Sequence, residues 1–589
     1  MVAPNMNLFA TFGEFRPNGP DGFAGELAAA SGTSAAIRLS PTVRLGLVEA
    51  AGRALSPTAD DLVVAASGRV EGNGDRTNTI MEAYRSAGSL GLGKLRGEYA
   101  FVLWDGRARQ LWAGCDPVGL RAPAYVWDGQ NFALCSRAIP LLGFPGGRAA
   151  WNEGFVAHLL SGIWAPLATA TAFRGVRRML GGELLCVSAD GLHQSAPGGL
   201  TFGRSRLDAQ RALSDLEERL DCAISSTLEE DRVCVALSGG IDSCVVASTL
   251  TRRRSHLDAF SLVAPIGSTG ASSTLSDLVA QLGVRSHLIH VGPTSNSLDL
   301  SALPDDPICA GPALQAARVD LLRAAKEHGF DRVFDGEGGD EIFDLAWRLG
   351  DLLRETAVAS IASGVTSIAI ARHTARDFAL TCPGPVSHLL LARARRRLAR
   401  RRPWLRASFW ASSSFALAWE ETCCNTRLRD ARLRLPAILA THGRYWRAQE
   451  LVRRSLGIEG SSPFLHQAVV ELVGSLHATV ALNPRHAKSF LRRLAEQRVS
   501  HSLAWRPKCE PLNAWLVERY VSDDANVARA FRAIRNSRQL HELVDLPVLA
   551  TTVHAARQQP QRGALASHLV DFFFFVDWLS AVEAKYNVA

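Results

Sequence analysis

Two aspartates sit beside glycines in a way that suits ion chemistry better than packing. The run Val233-Cys234-Val235-Ala236-Leu237-Ser238-Gly239-Gly240-Ile241-Asp242-Ser243 carries five apolar residues into a small turn, and an apolar helical pattern follows at once. That is the pattern of a buried strand feeding a helix N-terminus, where backbone N–H groups lack intrahelical partners. Such a junction attracts phosphate, because unpaired N–H groups and the helix dipole both favour an anion. Glycines let the backbone come close to it. Asp242 would repel bare phosphate, and its presence makes sense with a magnesium ion between the two.

A second run has the complementary chemistry. Arg332-Val333-Phe334 reads as a strand and ends in Asp335-Gly336-Glu337-Gly338-Gly339-Asp340-Glu341. Four acids and three glycines make a poor core and a poor helix. They suit a loop that holds a metal near phosphates, so Asp242 and Asp340 are the candidate ligands of one Mg²⁺. The plainer readings are a serine/glycine turn and an exposed acidic turn. Each fits its own segment, but neither accounts for the pair.

Both loops need strands to carry them. Val233–Leu237, Ala259–Val263, His287–Val291 and Arg332–Phe334 read as strands. They alternate with helical patterns that begin at Cys244, at Thr274 (with Ser272 or Ser273 as cap) and at Pro312. This alternation predicts a parallel sheet with helices on both faces and ligands beyond the carboxyl ends of its strands. Residues 1 to 200 instead read as mainly β, with short apolar runs at Leu62–Ala66, Tyr99–Trp104, Gln110–Gly114, Asn131–Leu134 and Leu184–Val187 between glycine-rich turns. A helical pattern runs from Ser205 through Leu213, Leu216 and Leu220, and beyond about residue 345 the pattern is helical. The expected division is therefore 1–200 and 201–589.

Composition narrows the class. A chain of 589 residues with 47% hydrophobic and 21% charged content should fold as more than one globular domain. No uninterrupted apolar run reaches membrane-spanning length, and the run Phe572 to Phe575, between Asp571 and Asp577, reads as a buried helix. No secretory signal is evident, so a cytoplasmic protein without a membrane partner is expected. The eleven cysteines show no C-x-x-C spacing, so zinc is not expected and reduced core thiols are. Net charge is +8, with eight arginines between Arg393 and Arg406. That segment reads either as a solvated helix or as a docking surface for an acidic peptide. Nucleic acid is the less favoured partner, because no stacking aromatics are interleaved with the arginines.

The Ser238–Ser243 loop resembles the pyrophosphate loop of ATP-pyrophosphatase enzymes, and the two loops together resemble asparagine synthetase and its relatives. Further matches follow in order: Asp306-Pro307; Ser462-Pro463-Phe464-Leu465-His466, with histidine where the family usually has aspartate; and Trp505-Arg506-Pro507-Lys508. The first half resembles the family's glutamine-amidotransferase domain at Leu95–Asp105, at Asp116-Pro117-Val118-Gly119-Leu120-Arg121 and at Phe173–Arg178. The resemblance implies an α/β protein. Its parts would be an Ntn-type amidotransferase-like β-rich domain and an ATP-pyrophosphatase (adenine nucleotide α-hydrolase-like) parallel-sheet domain with a helical extension. It also implies ATP and Mg²⁺, with Ser238, Gly239, Gly240, Asp242, Ser243 and Gly336 at the nucleotide. Glu337 would be the base and Lys508 the cation facing the reacting acyl-adenylate.

One departure matters. Amidotransferases of this class use an N-terminal cysteine as nucleophile. This sequence begins Met1-Val2-Ala3-Pro4-Asn5, and its first cysteine is Cys115. Glutaminase chemistry is therefore expected to be absent and ammonia is not the expected amine. Two branches of the family share this loss, β-lactam-type synthetases and lasso peptide cyclases. The former typically carry tyrosine where this chain has Glu337. The resemblance thus favours a lasso peptide cyclase, an AMP-forming ligase that joins an Asp or Glu side chain of a precursor peptide to that peptide's N-terminal amine. A leader peptidase and a leader-recognition protein would be partners. The alternatives are a β-lactam synthetase-like or ammonia-dependent asparagine synthetase activity, and a non-catalytic scaffold that binds peptide or RNA.

Overall fold

The computed structural model describes residues 7–12, 35–40, 43–48, 58, 60–72, 75–144, 150–161, 169–195, 198–203, 205, 207–225, 227–228, 232–264, 271–291, 312–343, 395–413, 415–416, 431–483, 486–506, 511–558 and 563–586. Its first part is a stack of two antiparallel sheets. Strands β1 (Asn7–Phe12), β2 (Ala35–Ser40), β3 (Val43–Val48), β7 (Ala124–Trp127), β8 (Phe132–Cys135) and β9 (Arg177–Arg178) form one sheet, in the order β2-β3-β1-β8-β7-β9. Strands β4 (Leu62–Val70), β5 (Gly97–Asp105), β6 (Gln110–Cys115), β10 (Leu184–Ser188) and β11 (Gly191–Gln194) form the other, in the order β11-β10-β6-β5-β4.

Alternation along the strands sends side chains to two cores. Leu8, Ala10, Val63, Val102, Leu111 and Leu134 fill the space between the sheets. The opposite faces point outward and are covered by helices. On the second sheet Val64 packs with Phe101, Leu103, Ile80 and Met81 under the helix Arg76–Ala87. On the first sheet Phe9, Ala124 and Val126 meet the helix Glu153–Ser161 and the C-terminal helices.

The second part is built on a five-stranded, wholly parallel sheet: β12 (Val233–Ala236), β13 (Asp258–Val263), β14 (Arg285–His290), β15 (Arg332–Phe334) and β16 (Glu459–Ser461), in the order β14-β13-β12-β15-β16. Val233 and Val235 pack on one face with Leu213, Leu216 and Leu220 of the helix Ala209–Ser225. Cys234, Phe260 and Val333 pack on the other with Leu321, Leu322 and Ala325 of the helix Pro312–Glu327. Helices thus cover both faces, as the alternation predicts.

Several features differ from the sequence expectation: the strand expected at His287–Val291 runs Arg285–His290, and the helices expected from Ser205 and Cys244 start at Ala209 and Ile241. The helix expected from Thr274 begins at Ala271, so Ser272 and Ser273 lie inside it rather than capping it. The region after residue 345 is not wholly helical: Glu459-Gly460-Ser461 adds the edge strand β16 beside β15. Three residues with glycine and serine carry no strand signature of their own, and pairing with Arg332–Phe334 supplies the order.

The helix Gly563–Tyr586 contains a stretch, Leu565–Ala584, that by length and composition could cross a membrane. Among the described residues it is the one helix that meets that test. Here Leu569, Phe573, Val576, Leu579 and Val582 are fully buried in the largest core, as expected for the phenylalanine run. Full burial of each such side chain contributes about 1.5–3 kcal/mol. In the arginine-rich segment, residues 395–401 are helical and Arg396, Arg397, Arg400 and Arg401 are exposed. Arg402 is buried and donates to the Ser161 carbonyl at 3.0 Å, so one of the arginines serves packing. Arg393 lies outside the described residues.

Candidate active site

Parallel pairing of β12 with β15 places Val235 beside Phe334, so the loops that leave these strands are neighbours. After β12, Gly239 turns the chain with φ +78°, a region open to glycine. The Ser238 hydroxyl lies 3.1 Å from that of Ser243, and Ser243 Oγ also accepts from the Ser238 N–H at 3.2 Å. Ser238 and Ser243 therefore close the loop on itself. The helix Ile241–Thr251 starts from Gly240, which has no side chain with which to cap the first turn.

The acidic loop is pressed against this turn. A Cβ on Gly336 would lie 2.8 Å from the Asp242 backbone and the Ser243 nitrogen, and one on Gly339 would lie 2.6 Å from the Asp242 carboxylate. Gly338 has φ +86°, and a Cβ there would collide with Leu465. Asp335, the first acid of the loop, is buried. Its carboxylate accepts from Arg453 and, at 2.7 Å, from the Ser462 hydroxyl. Ser462-Pro463-Phe464-Leu465 thus acts as the floor of the acidic loop: Phe464 stacks edge-on against Phe343 at 5.3 Å, and Leu465 fills the space beside Gly338.

Asp242 and Asp340 do meet, and a residue not anticipated from sequence joins them. Lys488 places its ammonium 2.5 Å from Asp242 Oδ2 and 2.6 Å from Asp340 Oδ1. Burial alone would push this ammonium's pKa down, but the two carboxylates outweigh burial and hold it above the ordinary lysine value. Lys488 reaches them from the N-cap of the helix Ser489–Glu496, with a left-handed backbone (φ 55°). An isolated lysine after a loop has no sequence signature for that role.

Arg506 lies close to the pyrophosphate-type loop, since a Cβ on Gly239 would be 3.9 Å from its guanidinium. Its carbonyl accepts from Arg492 at 2.9 Å. Lys508, Pro507 and Asp306-Pro307 lie outside the described residues.

Glu337 belongs to the acidic loop itself and is half-buried there, with 12% of its side chain exposed. Arg318, from the helix Pro312–Glu327, donates to its carboxylate, and the Tyr445 hydroxyl lies 3.5 Å from the same oxygen. Burial raises the Glu337 pKa above the usual carboxylate value, with Arg318 pulling the other way. His466 points elsewhere: its Nε2 is 2.9 Å from Glu71, just beyond β4, so it ties the two parts of the chain together. Cys115, at the end of β6, is a core thiol. It donates to the Leu180 carbonyl at 3.1 Å, and burial pushes its pKa well up.

The donor set fits a magnesium ion shared with phosphate. Two carboxylates of separate loops converge on one point, hard oxygen donors suit this ion, and Lys488 already holds a positive charge between them. Among the described residues no group of three or more His, Cys, Asp or Glu is placed to hold a metal alone.

Comparison with known proteins agrees with this architecture. The asparagine synthase family model matches residues 215–579, and that of the glutamine amidotransferase domain matches residues 63–196. The chain is similar to a putative glutamine-hydrolysing asparagine synthetase of Mycobacterium tuberculosis, 28% identical over 46% of this chain and 43% of the relative. It is equally similar to the amidase chry2 of Gibberella zeae, 28% identical over 46% and 43%. A glutamine-hydrolysing asparagine synthetase 3 of Bacillus subtilis is 24% identical over 26% of this chain and 25% of the relative. The chain spans less than half the length of these curated relatives. Its first part is an Ntn-type amidotransferase-like domain, its second is a parallel-sheet synthetase domain, and the chain belongs to the asparagine synthase family.

Proposed function

We propose that this protein is an ATP-dependent, AMP-forming carbon–nitrogen ligase that closes a macrolactam within a peptide, as a lasso peptide cyclase does. The observation that carries the ligase reading is the convergence of Asp242 and Asp340 on one point beside a glycine turn at the mouth of a helix. The peptide reading rests on Glu337, which stands where β-lactam-type synthetases have tyrosine.

The chemistry has two displacements. An Asp or Glu side-chain oxygen of the precursor peptide attacks the α-phosphorus of ATP, the Pα–O bond to the β-phosphate breaks, and pyrophosphate leaves. The peptide's α-amine then attacks the acyl carbon, and AMP departs with the electrons of the C–O bond. The Ser238–Ser243 turn and Gly336 cradle the phosphates, and Arg506 adds positive charge at the Gly239 side. Magnesium would supply charge neutralisation between Asp242, Asp340 and the phosphates. Lys488 would turn from the carboxylates to the departing pyrophosphate. Glu337 takes the amine proton, held in place by Arg318 and Tyr445. Lys508 would face the tetrahedral intermediate. The site must also exclude water while the peptide is prefolded, or the adenylate hydrolyses.

A leader peptidase would free the α-amine and a leader-recognition protein would deliver the precursor, all within the cytoplasm. The test is pyrophosphate release by the whole chain with Mg²⁺ and ATP. A processed precursor peptide should support release and yield AMP and a product lighter by one water, and Asp242→Ala should abolish both. Turnover with aspartate and ammonia, and none with the peptide, would replace this reading with asparagine synthesis.

A further inference from the structure

Arg121 closes the turn that begins at Asp116 in the amidotransferase-like domain. The buried Asp116 carboxylate accepts from the N–H groups of Gly119, Leu120 and Arg121 at 2.8, 3.0 and 2.9 Å, and Gly119 adopts φ +80°. The turn is thereby fixed from within. Its arginine reaches out of its own domain. It donates to Glu98 at 3.0 Å and lies 3.4 Å from Glu450, on the long helix Ala431–Ser455, and 3.9 Å from Glu459 of β16. Arg447 of the same helix donates back to the Gly119 carbonyl at 3.0 Å.

Three residues beyond Glu450 on that helix stands Arg453, 3.9 Å from the other oxygen of Glu450. Arg453 is buried and donates to Asp335, and the second oxygen of Asp335 accepts the Glu337 N–H at 3.1 Å and the Ser462 hydroxyl at 2.7 Å. Charges therefore alternate without a gap from Glu98 through Arg121, Glu450 and Arg453 to Asp335.

We infer that Arg121 is a positioning residue for the acidic loop, acting through Glu450 and Arg453 on Asp335, so that the amidotransferase-like domain sets the geometry of the site carried by the other domain. The inference deepens the ligase reading, since it takes residues 335–341 as part of the reaction site. Arg121, Glu450, Arg453 and Asp335 are largely buried, and their contacts run from direct hydrogen bonds to the 3.9 Å ion pair of Glu450 with Arg453. In such a place an unpaired charge is costly and a chain of pairs holds one arrangement. Burial lifts the Glu450 carboxyl to about 7 even beside Arg121. Removing Arg121 would favour the neutral acid and deprive Arg453 of its second counter-charge.

The test is hydrogen–deuterium exchange on the full chain. Arg121→Met should speed exchange in peptides covering 335–343 about tenfold while β5 stays protected, and Arg121→Lys should restore much of the protection. Arg121→Met and Arg453→Met should have non-additive effects on that loop, because they cut one chain. Unchanged loop exchange in folded Arg121→Met, or strictly additive effects, would overturn the inference. Should Arg121→Met fail to fold, Glu450→Gln cuts the next link and carries the same expectation and the same refutation. MgATP binding measured alongside separates the two ideas: wild-type protein that binds none strikes the site assignment, whereas the exchange result stands on its own.

Discussion

The ammonium of Lys488 lies 2.5 Å from the carboxylate of Asp242. A buried lysine thus occupies the place where a divalent cation would serve the same two aspartates, because Asp340 stands 2.6 Å away on its other side. Lys488→Met should therefore destabilise the fold by about 2 kcal/mol, a figure reduced for the half-exposed Asp340. Millimolar Mg²⁺ should restore much of the loss by binding the same carboxylates. Thermal unfolding with and without Mg²⁺ checks this. A variant indifferent to the ion would mean that the pair does not form a cation site.

Glu337 should separate the two chemical steps. Glu337→Gln is expected to cut amide formation about a hundredfold and pyrophosphate release only slightly, the usual scale for a lost general base. Because burial raises its pKa, the base is lost as pH falls through a value above the ordinary carboxylate range. The rate of amide formation in wild-type protein should therefore fall on the acid side at higher pH than a free glutamate would dictate, and the variant should lack that limb. Equal loss of both steps would assign Glu337 to substrate binding.

His466 and Glu71 make a pH-dependent tie between the domains. The hydrogen bond from His466 holds Glu71 below its ordinary pKa against the opposing effect of burial. A depressed carboxyl contributes stability above its unfolded value and loses it as pH falls through the folded one. His466→Ala should remove about 0.5 kcal/mol, small because both groups are partly in water. The melting temperatures of wild-type and variant protein should converge as pH falls through and below the ordinary glutamate range. A constant difference across that range would show that the contact is packing rather than charge.

Gly338 tolerates no side chain. Gly338→Ala forces a left-handed backbone and a collision with Leu465, together about 1–3 kcal/mol. The acidic loop should shift, and MgATP affinity should fall more than thermal stability alone predicts. Equilibrium dialysis against a matched Tm series would show it, and unchanged affinity would release Gly338 from the site.

The strands that carry the two loops are readable in the sequence because each is a short, mainly apolar run with a polar residue and then a glycine after it, and parallel topology follows from the helices between them. Asp242 and Asp340 can be paired for the same reason: their loops leave adjacent strands. Three features have no such signal. The edge strand Glu459-Gly460-Ser461 takes its conformation from β15. Lys488 acts through a left-handed backbone that no residue pattern announces. The partner of His466 is Glu71, hundreds of positions earlier, and no local pattern encodes contacts at that separation.

The outer face of the first sheet, with Phe9 and Val126, shares one core with Leu569, Phe573 and Trp578, and Trp151 lies 5.5 Å from Trp578. During translation at about 5–20 residues per second, that apolar face leaves the ribosome tens of seconds before its cover exists. Until then it is a sticky surface for other nascent chains. Expression of this protein should accordingly depend on chaperones that shield the early half, and removal of the last helix should send the chain to aggregates rather than to a smaller soluble core.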